Sequence, residues 1–343
     1  MPTKLTLPVP RDFELFSAVC SYGHFLLAPT RWDKGKQQLH RVLRDGSGRI
    51  VCCRVVQQRS QRAATVRERT HNGGKHKRKG PLPYGRGSFR GNPLTIHCDR
   101  TLHRKHHVLI KQKVVRMLRV DSDLCGWYAL CPAAKKRGFG RLFRGENLFE
   151  DIVKTITSCN VTWPNTINMN AQLVEHVGSG GFPTPEQVAD FGESRLKNVC
   201  RVGYRAGRIV RLARGVLDGS IDLDWFEQPE RTSDECYDAA LKLYGIGPYA
   251  AANILMLLGH YDKLAIDTET YRHYCKTHGV RRPKDPLKLH KRIEKHYGQF
   301  APYAFLAYWF ELWQGYEERF GPSHAWDHEA DAKQFTAAAM NRG

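Results

Sequence analysis

The sequence predicts an α+β fold, with an antiparallel β-sheet domain over residues 1–135 and an all-α domain over residues 136–343. Three observations predict it. Short β-prone runs separated by turn signals fill the first part of the chain. From about residue 145 the apolar spacing becomes that of amphipathic helices, with capping residues at their starts. Hydrophobic residues make up 41% of the 343, enough for a sizeable core in two domains or one large one.

In order, "LTLPVP", "FLLAPTRW", "LHRVLR" and "RIVCCRVV" read as strands, with Asp45-Gly46 as one of the turns between them. After a break, "LTIHC", "HHVLIKQKVVRMLRV" and "GWYALC" continue the β reading. The helical half opens with "NLFEDIVKTITSCN", where Asn147 can cap a stripe of Leu148, Phe149, Ile152, Val153 and Ile156. In "PTPEQV", Thr184 is the N-cap and Pro185 the first helical residue. "YRAGRIVRLARGVLDG", "TSDECYDAALKLYG", "PYAAANILMLLGHY" and the aromatic "PYAFLAYWFELWQGYEERF" supply further helices joined by short connections.

The net charge is +20, with a pI near 9.6. Residues 57–116 hold 16 Lys or Arg against Glu68 and Asp99, which is +14 of that total. Such a balance points to a polyanionic partner, nucleic acid first, because Lys and Arg displace counterions condensed on phosphates. Within this stretch, a basic Gly/Pro-rich insertion at about 57–95 is expected to be a mobile loop that can track a phosphate backbone. No apolar run reaches the ~18 residues of a membrane span, and the start of the chain lacks the apolar stretch of a signal peptide. An intracellular, soluble protein without a membrane partner is expected, in the cytoplasm or nucleoid of a prokaryote or the nucleus of a eukaryote. The ten cysteines do not form the pattern of a secreted disulfide framework. His97, Cys98, His103, His106 and His107 crowd a short stretch, but their spacing matches no standard ligand pattern, so no metal site is expected there.

The segment "LYGIGPYAAANILMLLGHYDKLAIDTETY" carries the chemistry. Gly245, Ile246 and Gly247 reverse the chain between two helices, and Pro248 presets the start of the second. The first amides of that helix have no internal partner and lie at the positive end of its dipole, so a phosphate can be held there by backbone N–H groups. Leu243 and Ile246 would anchor the turn in the core. This is a helix-hairpin-helix, a grip on a DNA backbone that reads no sequence; an ordinary αα-hairpin with a glycine cap is the alternative. Asp267, about twenty residues on, reads by itself as the N-cap of "DTET". The short return after the second hairpin helix can also bring its carboxylate near the strand that the hairpin holds.

With this hairpin, connecting loop and aspartate, the chain resembles the helix-hairpin-helix (HhH-GPD) superfamily of base-excision DNA glycosylases. The resemblance extends over "NLFEDIVKTITSCN", "FPTPEQVADFGESRLKNVCRVGYRAGRIVRLARGV" and "FAPYAFLAYWFELW", roughly residues 145–315. The β-rich N-terminal domain points further to the branch of 3-methyladenine glycosylase II and 8-oxoguanine glycosylase. The resemblance implies an enzyme that flips a damaged base out of duplex DNA and hydrolyses its N-glycosidic bond. Asp267 would stabilise the oxocarbenium-like sugar and orient water.

Gly245, Ile246, Gly247, Pro248 and Asn160 would contact DNA, while Tyr249, Trp309 and Phe305 would line the base pocket. Bifunctional relatives carry a nucleophilic lysine where this chain has Tyr249, so a monofunctional enzyme is expected, with Lys263 only a loop residue. The expected substrates are alkylated bases, acted on by a monomer in base-excision repair. An 8-oxoguanine-type enzyme and a non-catalytic DNA-binding protein are the alternatives. The chain lacks the family's glutamine near Cys159 and its Gly-Pro pair before the aspartate. Only Cys275 lies beyond Asp267, so the iron–sulfur cluster of some relatives is not expected. No cofactor is required on this reading, and the hairpin carbonyls could hold a monovalent cation, as in relatives.

Overall fold

A computed structural model describes residues 1–58 and 91–327. Five strands form one antiparallel sheet: β1 (Lys4–Leu7), β2 (Thr30–Asp33), β3 (Gln38–Arg44), β4 (Ile50–Gln57) and β5 (Leu94–Cys98). Their order is β1-β5-β4-β3-β2, with Leu5 opposite Ile96 and Val55 opposite both Leu39 and Ile96. Alternation along β3 and β4 sends Leu39, Arg41, Leu43, Val51, Cys53 and Val55 to the buried face. The basic insertion therefore joins the paired strands β4 and β5, and the phosphate-tracking loop expected there falls on residues 59–90, outside the described residues.

The helices are α1 (Leu15–Val19), α2 (Arg104–Leu118), α3 (Cys125–Leu130), α4 (Pro132–Arg137), α5 (Leu148–Ser158), α6 (Trp163–His176), α7 (Pro185–Phe191) and α8 (Glu193–Asn198). They continue with α9 (Arg205–Leu217), α10 (Leu223–Phe226), α11 (Ser233–Lys242), α12 (Pro248–Leu258), α13 (Thr268–Thr277), α14 (Pro286–Gly298) and α15 (Ala304–Phe320). Among the described residues no helix is long and apolar enough to cross a membrane.

Two stretches expected as strands are helices. "HHVLIKQKVVRMLRV" lies in α2 and "GWYALC" in α3. The β-branched residues of α2 suggested a strand, but Ile110, Val114, Met117 and Leu118 recur every three to four residues, and all four are buried. "FLLAPTRW" is a strand only from Thr30, and Gly23–Leu26 is a 3₁₀ turn. The expected caps are present: the side chain of Asn147 accepts from the Glu150 amide, and Thr184 and Thr232 each complete a capping box.

One core runs from Leu5 to Phe143 and resumes at Ala252, so it draws on both halves of the chain. It packs the sheet and α2 against α13–α15, while the other fills the space among α5–α11. Helix α12 lies between them, with Ala252, Met256 and Leu257 in the first and Ala250, Ala251, Ile254 and Leu255 in the second. Apolar all round, it is buried all round. The N-terminal segment is tied to the end of the chain. The indole N–H groups of Trp309 and Trp313 donate to the carbonyls of Ser21 and Cys20, at 2.9 and 3.1 Å, and that of Trp32 donates to His324 O at 2.9 Å.

Candidate active site

The hairpin joins α11 to α12. Leu243 and Ile246 are buried, whereas Gly245, Gly247 and Pro248 are exposed, so the anchors sit in the core and the tip faces outward. Gly245 has φ of 78°, a left-handed conformation that favours glycine, and a Cβ there would also displace the Arg208 side chain, which lies 2.4 Å from that point. Gly247, the N-cap of α12, has extended backbone and makes no side-chain cap; a Cβ added to it would meet nothing within 4 Å. The leading amides of α12 thus open onto unobstructed space beside the turn. Two arginines of α9 flank the tip. Arg208 lies against Gly245, and the Arg211 guanidinium sits 3.8 Å from the centre of the Tyr244 ring. Neither stood out in the sequence, because on an amphipathic helix basic residues ordinarily face solvent.

Asp267 is the N-cap of α13. Its Oδ1 accepts from the Thr270 amide at 2.9 Å and the Thr270 hydroxyl at 3.0 Å, closing a capping box. The side chain therefore fills the capping role that its local sequence suggested. The residue is half-buried. Burial raises its pKa above 3.8, and the contacts to Thr270 offset this only in part. Its negative charge in turn helps burial raise the pKa of Tyr22, Tyr249, Tyr308 and Tyr316. Tyr249, the residue after Pro248, thus feels the charge of Asp267.

Aromatic residues crowd this position. The ring of Trp309 lies 4.9 Å from that of Tyr22 and stacks on Phe305 at 5.9 Å and 17°. Trp309 and Tyr249 are half-buried. Phe305 is 1% exposed: it sits in the core behind Trp309 and supports the wall without presenting a surface to a ligand. The Tyr22 hydroxyl donates to Asn253 Oδ1 at 3.2 Å, and Asn253 Nδ2 donates to the Tyr249 carbonyl at 3.0 Å. Tyr22 and Asn253 were missed in the sequence. Asn253 had a visible signal as the lone polar residue of an otherwise apolar run in α12. Tyr22 had none, since contact across 231 residues is created only by folding.

Asn160 is exposed in the loop between α5 and α6, with φ of 51°, a left-handed conformation that asparagine tolerates. Arg205 pins this loop by donating to the carbonyls of Cys159 and Asn160. The burial-raised thiol of Cys159 also feels the charge of Asp267, so the loop approaches the same centre. Neither lysine near the site in sequence or space is free. Lys263 pairs with Asp234 at 2.6 Å. Lys154 is fully buried against Glu150 at 2.7 Å, and the Glu150 carboxylate also binds Arg41 of the sheet. The histidines of the 97–107 stretch serve local structure: His106 Nδ1 accepts from the Gly46 amide at 2.8 Å, and His103 caps α2. The open grooves lie elsewhere. One of about 770 Å³, lined by Arg211, Trp225, Asp238 and Tyr244, includes neither Asp267 nor Tyr249.

Residues 153–299 match the family model described as HhH-GPD superfamily base excision DNA repair protein. Over these residues the chain is similar to the HhH-GPD superfamily. The match takes in most of α5, the hairpin, Asp267 and α14. No curated protein matches the chain by sequence. Among solved structures, the 3-methyladenine DNA glycosylase from Archaeoglobus fulgidus superposes with a TM-score of 0.61 at 18% identity, covering 93% of this chain and 99% of that one. MBOgg1 in complex with a low-affinity DNA ligand gives 0.60 at 18%, covering 92% and 96%. The apo 8-oxoguanine glycosylase/lyase of Clostridium acetobutylicum gives 0.55 at 15%, covering 91% and 97%. At these identities the likeness is one of fold. Its coverage takes in the N-terminal sheet as well as the HhH-GPD helices.

Proposed function

We propose that the chain is a monofunctional DNA glycosylase that removes alkylated purine bases from duplex DNA, with water as the nucleophile. The observation that carries this reading is the placement of Asp267: a half-buried carboxylate with no cationic partner among the described residues, whose charge is felt by Tyr249 next to the exposed glycine turn. The turn and the flanking Arg208 and Arg211 would hold the backbone of the damaged strand. A flipped nucleotide would then present its sugar to Asp267. As the glycosidic bond lengthens, positive charge builds on the sugar, and an unpaired carboxylate in a poorly hydrated site opposes that charge strongly. The same carboxylate can orient and deprotonate the attacking water, while the bond electrons leave with the base.

Tyr249 stands where a lyase would need an amine, and the pairing of Lys263 and Lys154 supports a hydrolytic mechanism. Tyr22, Tyr249 and Trp309 favour a cationic, electron-poor base through their ring faces, and the charge of Asp267 adds to that preference. Asn160, on the loop that Arg205 holds, would fill the gap left by the flipped base.

The test is base release from a panel of duplexes, each holding one defined lesion, with borohydride added in a parallel series. Release from 3-methyladenine-type duplexes without a trapped covalent adduct is expected. Preferential release of 8-oxoguanine would replace the substrate assignment, and a trapped adduct would overturn the hydrolytic one. Binding without release of any base would make the chain a DNA-binding protein alone.

A further inference from the structure

The end of α13 remote from Asp267 carries a second constellation. Glu311 of α15 sits at its centre. Its Oε1 lies 3.1 Å from His278 Nε2 and 2.8 Å from His273 Nε2, and accepts from the Tyr297 hydroxyl at 2.7 Å. His296 of α14 completes the group, its ring centre 4.4 Å from that of His278. One ligand atom each from His278, His296 and Glu311 falls within 4.8 Å of the others, and all three residues are half-buried, so solvent reaches the group.

We propose that His278, His296 and Glu311 form a binding site for a divalent transition metal of the zinc class, with water as the fourth ligand. Two imidazoles and a carboxylate are an established zinc donor set. In a tetrahedral site with metal–ligand bonds of ~2.0–2.1 Å, ligand atoms stand about 3.3–3.4 Å apart, close to the 3.1 Å between His278 and Glu311. A hydrogen bond would explain that pair by itself, but it does not explain His296. Among the described residues the ring nitrogens of His296 make no hydrogen bond; the ring is packed edge-on against Tyr274 and Tyr297 and tilted over His278. His273 and Tyr297 hydrogen-bond to that same Oε1 of Glu311 and so orient the carboxylate, as outer partners of a metal-bound carboxylate do.

The three ligands come from the end of α13, from α14 and from α15. An ion here would fasten the helix capped by Asp267 to the helix that carries Trp309, at a distance from the proposed chemistry. The site is therefore independent of the glycosylase reading, and its test does not use base release.

The full chain, stripped with chelator, is titrated with zinc against a chromogenic chelator and with cobalt(II) under an absorption spectrometer. One equivalent is expected, with the intense visible bands of four-coordinate cobalt and a thermal midpoint that zinc raises by a few degrees. His296→Gln and His278→Gln are each expected to weaken that equivalent at least ~10-fold and to abolish the zinc-dependent rise. Circular dichroism identifies any variant that fails to fold. Should both fail, the cobalt spectrum of the unaltered protein decides, since bands of six-coordinate, all-oxygen cobalt exclude a two-imidazole site. A wild-type protein that binds zinc no more tightly than folded variants, or whose bound equivalent survives both substitutions, overturns the proposal.

Discussion

At the start of α5, Glu150 is fully buried between Arg41 and Lys154; at the start of α13, Asp267 is half-buried with no cation within ion-pair reach among the described residues. Burial pushes both carboxyl groups upward. For Glu150 the two cations more than reverse that push, and the pKa falls to about 2. For Asp267 only Thr270 and neighbouring amides resist, and the pKa stays above the ordinary 3.8. The fold therefore contains one neutralised acid and one exposed to whatever enters. The first joins the sheet to α5, the helix that leads into the Asn160 loop. The second retains a charge that no cation among the described residues cancels, the condition expected of a carboxylate that must meet a developing cation.

The largest expected effect tests the neutralised acid. Glu150→Gln leaves Arg41 and Lys154 buried without their counter-charge, and should lower stability by about 3–5 kcal/mol in denaturant unfolding. A loss below ~1 kcal/mol would erase the contrast between the two acids.

Asp267→Asn should reverse the pattern. Asparagine still caps α13, so stability at neutral pH should hold or rise, whereas single-turnover base release should fall roughly 10²–10³-fold. A stability loss as large as that of Glu150→Gln, with release intact, would make Asp267 a structural cap and nothing more.

Acid titration sharpens the comparison because the two carboxylates have opposite signs. The folded pKa of Glu150 is depressed, so its stabilising contribution is complete above 4.5 and is lost as the pH falls towards about 2. The folded pKa of Asp267 is raised, so ionising it costs stability as the pH rises through 3.8 to its folded value. The stability advantage of Asp267→Asn should thus grow across that window and vanish below 3.8. Base release by the wild type should fail on the acid side at a higher pH than an ordinary aspartate would dictate. Unfolding and release followed across the acid range check both limbs.

The smallest effect concerns the turn. Gly247→Ala adds a methyl group that meets no protein atom at an allowed backbone conformation. The fold should stand, and affinity for duplex DNA should weaken about fivefold, near 1 kcal/mol. Unchanged affinity would leave the hairpin a connector only.

Most of the helical half was legible in the sequence because its signals are local. Asn147, Thr184, Thr232 and Pro248 each act within a few residues of themselves, and they begin the helices they were expected to begin. The β reading failed at α2, where β-branched residues on a helical period had two local interpretations and packing selected one. In the site, the hairpin and Asp267 could be found from spacing. The aromatic wall could be found only in part: Tyr249, Trp309 and Phe305 were named from the sequence, but that Phe305 is buried behind Trp309 and that Tyr22 lies across from it required the folded chain.

The order of amino acids determined by itself the helix starts, the tight turn and the distance along the chain from that turn to the carboxylate, because each depends on backbone preferences felt over a turn or two. Tertiary structure alone decided that Asp267 lacks a cation while Glu150 has two, that Tyr22 reaches Trp309, and that His278, His296 and Glu311 converge. Those relations depend on distances through space between segments that the chain separates, and the dielectric surroundings and charge partners that shift a pKa exist only once the cores have closed.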